Sequence, residues 1–346
     1  MDKLTAFASV SANPPTIPAE FVRQAVREQF DLDGEYTLLV SERDQNFHLQ
    51  TTSGRQYLVK VTSAAEPAIV SDFHLGVLLH LEAAGTTSTP HVVRTSAAAS
   101  AGRIEHDREA HVLRVVSYLE GTPLSEVSID TDVARDFGTE LANLDAALQG
   151  FRHPGEHPLL LWDLQRAVEL RELAHHIDSE STARAVALAI DDFERNVVPK
   201  LASLRRQVVH GDANPGNVLF DESGGIRGFI DFGDSVNAPL IFDVAIASSY
   251  LRSVEPLALI GPFIAAYHAV LPVRADELEI LFDLVRARLA TTISILFWRL
   301  AERDTGDAYR EKTLQTEGEA IHFLDVLDAL GRDDFVSTLR SVTGAD

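Results

Sequence analysis

The sequence predicts an α+β chain, with a small strand-rich lobe followed by a larger, mainly helical lobe. Three observations carry this. Short apolar runs with β-type alternation fill residues 36–121, and apolar residues recur every three or four positions from about residue 130. Between these regimes stands a Glu-Gly-Thr-Pro break at 120–123. The boundaries drawn are residues 1–118 for the first lobe, 119–124 for a connector and 125–346 for the second. A chain of 346 residues is long enough for both.

Taken in order, Phe21, Val22, Ala25, Val26 and Phe30 share one helical face behind Pro18. YTLLVS (36–41), NFHLQT (46–51) and QYLVKV (56–61) read as strands, the last two joined at Ser53-Gly54. Residues 66–84 return to a helical pattern that ends at Gly85. HVVRTS (91–96) and the run from His111 read as further strands, with AAASAG as a loop between them. In the second lobe Val133, Phe137, Leu141, Leu144 and Leu148 form one apolar stripe. Residues 181–205, 239–271, 276–302 and 307–330 read as helical, around a two-strand island near 208–231. No internal repeat is present.

Composition excludes several classes. With 52 acidic against 30 basic residues, the net charge of −22 repels nucleic acid and anionic membranes and suits a cationic substrate. There is no cysteine, which removes disulfides, cysteine zinc sites and thiol catalysis. The first 18 residues lack the pattern of a signal peptide, and the apolar run LATTISILFW is too short to span a bilayer. A cytoplasmic location is the expectation.

The chemistry is concentrated in VVHGDANPGNVLF (208–220) and GFIDFGD (228–234). Asp212 lies five residues before Asn217, and Asp231 closes a second apolar run. An amide oxygen and a carboxylate make a hard-oxygen pair suited to Mg²⁺ carrying phosphates. Asp212 is then available to orient or deprotonate a hydroxyl. This division of labour matches that of protein kinases, whose H-R-D-x-x-x-x-N supplies base and metal ligand and whose D-F-G supplies the other ligand. The competing structural reading is an Asp-Asn turn between two buried strands. In YLVKV, alternation sends Lys60 away from the apolar side chains, toward phosphates or simply to the surface. SERDQNF (41–47) stands where a phosphate-covering loop would be, but it contains no glycine and fits a polar hairpin turn equally.

HGD-x-x-x-x-N followed by IDFGD resembles the aminoglycoside phosphotransferase and choline kinase superfamily, from about residue 20 to about residue 330. SERDQNF, YLVKV, LANLDAALQGF, LLWDLQRA and VVHGDANPGNVL are similar to its hydroxylysine kinase branch. The resemblance implies a protein-kinase-like two-lobe fold with an antiparallel first-lobe sheet. It also implies Mg²⁺, ATP or GTP as phosphoryl donor, and a small cationic or zwitterionic amino-alcohol as acceptor. It makes Asp212 the catalytic base, Asn217 and Asp231 the metal ligands, and Lys60 the phosphate-binding lysine. Arg43, Asp44, Gln45 and Asn46 become the phosphate-side loop, and Ser117, Tyr118 and Leu119 the segment that meets the purine. Asp243 is the aspartate that braces the catalytic loop.

Two positions depart from the pattern. Asp145 stands where most aminoglycoside and choline kinases have histidine. His74 stands where a kinase has the helical glutamate that pairs with the strand lysine, leaving Glu66 or Asp72 as substitutes. For the acceptor, Trp162 and Asp163 suit an ammonium, although a core tryptophan beside a capping aspartate reads equally well. Asp234 faces metal or acceptor, and Arg299 meets a substrate carboxylate. Related domains fused to class III aminotransferases suggest a functional link to such a lyase. The alternatives are an aminoglycoside, homoserine or choline kinase, and a nucleotide-binding pseudokinase.

Overall fold

Side-chain alternation places Lys60 before any tertiary detail is needed. The computed structural model of the chain describes residues 14–41, 43–222, 224–301 and 308–344. The signal-peptide reading concerns mainly residues 1–13, which lie outside these. Packing divides the chain into two units. Unit 1 runs to Gly121 and includes Phe151–Leu161 and Gly228–Gly233. Unit 2 comprises Thr122–Gly150, Trp162–Arg227 and the chain from Asp234 onward.

Unit 1 opens with α1 (Ala19–Phe30), then β1 (Gly34–Leu39), β2 (Gln45–Thr51), β3 (Gln56–Val61), α2 (Ala68–Ala83), β4 (Gly102–His106) and β5 (Glu109–Ser117). The five strands form an antiparallel sheet in the order β1-β2-β3-β5-β4. Val22, Val26 and Phe30 of α1 pack with Phe47, Leu49, Val59, Val61, Leu113 and Val115. Each such side chain contributes roughly 1.5–3 kcal/mol on burial. Because Tyr57, Val59 and Val61 turn into that core, Leu58 and Lys60 face the opposite side of β3. Register then sets Lys60 in one row with Asn46 of β2 and Arg114 of β5.

One strand is displaced from its expected place. HVVRTS makes only an isolated bridge, Val92 with Val116, and the edge strand is β4 instead. Its hairpin turns at Asp107-Arg108, both at positive φ (48° and 68°). Neither is glycine, so the usual hairpin signal is missing.

In unit 2, β6 (Thr122–Pro123) precedes α3 (Thr131–Ala147), whose first turn is capped by the Asp130 carboxylate, which accepts from the Asp132 and Val133 amides at 2.9 and 3.0 Å. A 3₁₀ segment (Leu164–His176) and α4 (Glu180–Asn196) follow. Then come β7 (Arg206–Val209), β8 (Val218–Phe220), β9 (Ile226–Phe229) and β10 (Val236–Pro239), so the two-strand island holds four strands. β7 pairs with β10, and β6, β8 and β9 form a second small sheet. The remaining helices are α5 (Ile241–Ser248), α6 (Pro256–Val270), α7 (Ala275–Ala301), α8 (Ala308–Leu330) and α9 (Arg332–Thr343). Residues 239–271 thus form two helices rather than one, since Pro256 has no N–H to continue a ladder and starts α6. Among the described residues, no helix is long and apolar enough to cross a membrane.

Candidate active site

In unit 1 the phosphate-type residues converge on one carboxylate. Asp44, 7% exposed, lies just ahead of β2. Its Oδ2 is 3.3 Å from Lys60 Nζ and 3.1 Å from Arg114 Nη2, while Oδ1 accepts the Ser63 amide at 3.3 Å. Two cations side by side on neighbouring strands repel, and the shared carboxylate offsets that. Lys60 also reaches Asp231 Oδ1 at 3.4 Å. The lysine therefore has an anionic partner, supplied by the chain entering β2 rather than by the helix. His74 of α2 is buried, and neither ring nitrogen has a hydrogen-bond partner. Burial first, then the Arg114 charge, holds its pKa well below the ordinary histidine value, so it is neutral there.

Asp231 follows the end of β9 at φ 58°, the left-handed region that Asp tolerates better than most residues. Its Oδ1 also accepts the Gly233 amide at 3.4 Å. Asn46 Oδ1 is buried with no hydrogen-bond partner, in the Lys60 row. Gln45, expected beside phosphates, is instead bound to the backbone of Ile17 through both ends of its amide, at 3.0 and 2.9 Å. Arg43 lies close to Gly233. In the run expected to meet the purine, the amides of Ser117 and Tyr118 bond the carbonyls of His91 and Gln56, at 2.8 and 3.1 Å, and the Tyr118 ring packs on His48.

Unit 2 holds the second cluster. After β7 the chain turns through Gly211, at φ +80°, where an added Cβ would lie 2.2 Å from the Asp234 carbonyl oxygen. Only glycine fits. The turn is pinned by Asp243 of α5, whose carboxylate accepts the His210 and Gly211 amides at 2.7 and 2.8 Å. The next side chain, Asp212, is bound from both sides. Arg288 Nη2 donates to Oδ1 at 2.9 Å. Asn214 and Asn217 donate through Nδ2 to Oδ2 at 2.8 and 2.9 Å. Asn217 thus spends its nitrogen on Asp212 and keeps its amide oxygen as the acceptor a cation needs.

Arg288 is buried on α7; it also donates to the Trp162 carbonyl at 3.0 Å, and its guanidinium lies 5.1 Å from the centre of the Trp162 ring. Arg299 stacks on the same ring at 5.4 Å. Asp163 caps the 3₁₀ segment, accepting the Gln165 amide at 3.0 Å, and burial raises its pKa above the ordinary carboxyl value. Asp234 ends the 3₁₀ turn after Asp231, within electrostatic reach of Arg288. The capping reading of Asp163 is the one its contacts show, and the arginines take the cation–π role offered by Trp162.

Unit 2 also contains a cavity of about 840 Å³, with polar lining from Ser125, Asn214, Tyr250, Arg252, Glu319 and His322. Arg252 and Glu319 pair across 3.2 Å. None of Trp162, Asp163, Asp234 and Arg299 lines it. Sequence reasoning missed Arg288, Arg114 and the cavity residues. The visible signal was a pair of arginines, Arg286 and Arg288, leading into the apolar run LATTISILFW of the same helix.

The family model for phosphotransferase enzymes (APH) matches residues 35–278. The chain belongs to this phosphotransferase family. It is 25% identical to the hydroxylysine kinase of Danio rerio over 342 residues, which is 94% of this chain and 96% of that one. Among solved structures it is similar to amicoumacin kinase hAmiN in complex with AMP-PNP, Ca²⁺ and Ami. The TM-score is 0.69 at 15% identity, covering 100% of this chain and 98% of the other. It is also similar to a microcompartment-associated aminopropanol kinase, with a TM-score of 0.68 at 17% identity over 94% of this chain and 100% of that one. The expected kinase-like fold is therefore the one observed, and this phosphotransferase is a small-molecule kinase.

Proposed function

We propose that this phosphotransferase moves the γ-phosphoryl group of a nucleoside triphosphate to the hydroxyl of a small amino-bearing acceptor of the hydroxylysine type. The observation that carries the reading is the Asp212 carboxylate, held by Arg288, Asn214 and Asn217 on a loop whose backbone is pinned by Asp243. A carboxylate fixed so rigidly is built to orient a hydroxyl. The acceptor oxygen forms a bond to γ-phosphorus while the bond from phosphorus to the β,γ-bridging oxygen breaks. The hydroxyl proton passes to Asp212 and then to solvent, and the nucleoside diphosphate leaves. Arg288 fixes the same carboxylate, and orientation of the hydroxyl is what a loose transition state with late proton removal most needs.

Lys60 addresses the phosphates, and Arg114 adds a second cation held by the same aspartate. The Asn217 oxygen and the Asp231 carboxylate are each, by chemistry, the kind of hard donor Mg²⁺ takes one or two of while filling its shell from phosphates and water. When bound there it would neutralise charge on the β- and γ-phosphates. With the Ser117 and Tyr118 amides engaged, purine recognition falls to the Leu119 backbone and the carbonyls of this run.

The unit 2 cavity is the proposed acceptor pocket. Asn214 joins it to Asp212, and its Arg252–Glu319 pair, with Arg252 also 5.3 Å from the Tyr250 ring centre, presents both signs of charge to a zwitterionic acceptor. The likeness to hydroxylysine kinases favours that acceptor over aminoglycosides, homoserine or choline. A link to a class III aminotransferase-like lyase is an expectation of this reading, since such a lyase would consume the phosphorylated amino-alcohol. The pseudokinase alternative leaves Asp212 without a task.

The test offers hydroxylysine, homoserine, threonine, ethanolamine, choline and kanamycin, each with ATP and with GTP, and scores product mass. Phosphohydroxylysine supports the proposal. Phosphorylation of kanamycin or choline but not hydroxylysine overturns the acceptor and keeps the kinase. No product with any acceptor, while nucleotide still binds, favours the pseudokinase.

A further inference from the structure

One buried group of ionisable side chains stands behind the Asp212 loop without touching the reacting atoms. Asp145 on α3 and Asp243 on α5 are both fully buried, and each carboxyl lies within the other's electrostatic reach. Their remaining donors are unequal. Asp243 receives two backbone amides, one on each oxygen, from His210 and Gly211. Asp145 receives only the Tyr267 hydroxyl of α6, on Oδ2 at 2.6 Å, and Oδ1 is buried with no donor. Its backbone carbonyl is fixed by Gln207 Nε2 at 2.7 Å, so the group has little freedom to move away.

Two neighbouring carboxyl groups in a dry interior do not both ionise without a large cost, and a hydrogen bond between them would require one proton. The donor count decides where that proton sits. Two amides favour the anion on Asp243. On Asp145 the donorless Oδ1 is an orphaned acceptor if ionised and a satisfied donor if protonated. We propose that Asp145 is a neutral carboxylic acid in the working enzyme, donating from Oδ1 to Asp243, and that it is a positioning residue for the loop that carries Asp212. The chain of contacts runs from Tyr267 through Asp145 and Asp243 to the His210 and Gly211 amides. The role rests on the reading of Asp212 given above; the placement of the proton does not.

The electrostatic surroundings agree. Burial first, then the Asp243 charge, holds the Asp145 carboxyl well above its ordinary value. Burial likewise raises Tyr267, which stays a hydroxyl donor. The charged or titratable groups facing the pair are His210 beside Asp243, Tyr267, and Arg205. Arg205 is committed to Glu277 through two hydrogen bonds, at 2.7 and 2.6 Å. Since the folded chain holds a proton that the unfolded chain releases, this stabilisation is complete at acid pH and is lost as pH rises through the folded-state value.

Asparagine is the neutral isostere, with an oxygen for Tyr267 and an N–H for Asp243. Asp145→Ala should lower kcat at least about tenfold, and Asp145→Asn should restore most of that loss. Asp145→Asn should also flatten the alkaline fall in Tm and remove the infrared carbonyl band of a buried protonated carboxyl. If Asp145→Asn is as impaired as Asp145→Ala, or keeps the wild-type alkaline slope and band, Asp145 is ionised and the proposal is wrong. Should Asp145→Ala fail to fold, the Tm–pH and infrared comparison of wild type with Asp145→Asn decides alone. Those two readouts need no turnover, so a failure of the kinase reading, seen as full activity in Asp212→Asn, is distinguishable from a misplaced proton.

Discussion

Replacing Asp44 by asparagine removes one charge and leaves the shape of the side chain intact. Lys60 and Arg114 lie 3.3 and 3.1 Å from the same carboxylate oxygen, with side chains 16% and 8% exposed. At an effective dielectric constant of about 20, each unit-charge pair at this separation is worth roughly 5 kcal/mol before desolvation. Deleting one partner of such a buried group costs about 3–5 kcal/mol, because the remaining charges lose their compensation. Asp44→Asn should therefore unfold in urea with a free energy lower by about 3 kcal/mol. Arg114 without its carboxylate, beside Lys60, is also a site for anionic phosphates, so saturating Mg-nucleotide should stabilise the variant more than it stabilises the wild type. Turnover should nevertheless fall by about one to two orders of magnitude, because Lys60 is no longer held in place. The checks are urea titrations with and without nucleotide, alongside steady-state kinetics. Wild-type unfolding with an unchanged kcat would refute the idea that Asp44 stands in for the helical glutamate.

Asp231→Ala should nearly abolish turnover and weaken Mg-nucleotide binding in calorimetry, and near-normal turnover at ordinary magnesium would exclude the metal role. Asp212→Asn should cut phosphoryl transfer by orders of magnitude while nucleotide affinity stays within a few-fold; equal loss of both would point to metal binding or misfolding. Gly211→Ala forces a Cβ to within 2.2 Å of a backbone oxygen at φ +80°, so Tm should drop and kcat fall with it. A variant with wild-type Tm and kcat would show that the turn is not rigid.

What was legible in the sequence is what repeats locally or is recognised by type. Alternation in QYLVKV put Lys60 on the face opposite the core, and the structure has it there. The spacing of Asp212 and Asn217 marked one loop carrying both, while the hydrogen bond that joins their side chains was visible only in the structure. Partners supplied from far along the chain were not legible. Asp44 belongs to a hairpin turn and reads as a phosphate-loop residue until register brings Lys60 and Arg114 beside it. Arg288 meets Asp212 across 76 positions, a pairing that no local pattern encodes. Asp163 shows the opposite limit. Its sequence allowed both a cap and a ligand, and the Gln165 contact adds the cap alone.

The division of the chain bears on how the protein is made. Unit 1 is not a continuous stretch, for it takes Phe151–Leu161 and Gly228–Gly233 from much later in the sequence. Phe151 packs against Phe73, and the Phe229 amide bonds the Ser88 carbonyl at 2.8 Å. A nascent chain that has emerged only to Gly121 therefore lacks the side chains and backbone groups that complete its first folding body. At about 5–20 residues per second, the ribosome takes several more seconds to deliver them. Through that interval α2 and the loop at Ser88 must wait without these partners, which makes early synthesis the period of greatest exposure to aggregation and to chaperone capture. A fragment cut at the apparent connector should be poorly soluble, however self-sufficient its strand pattern looks.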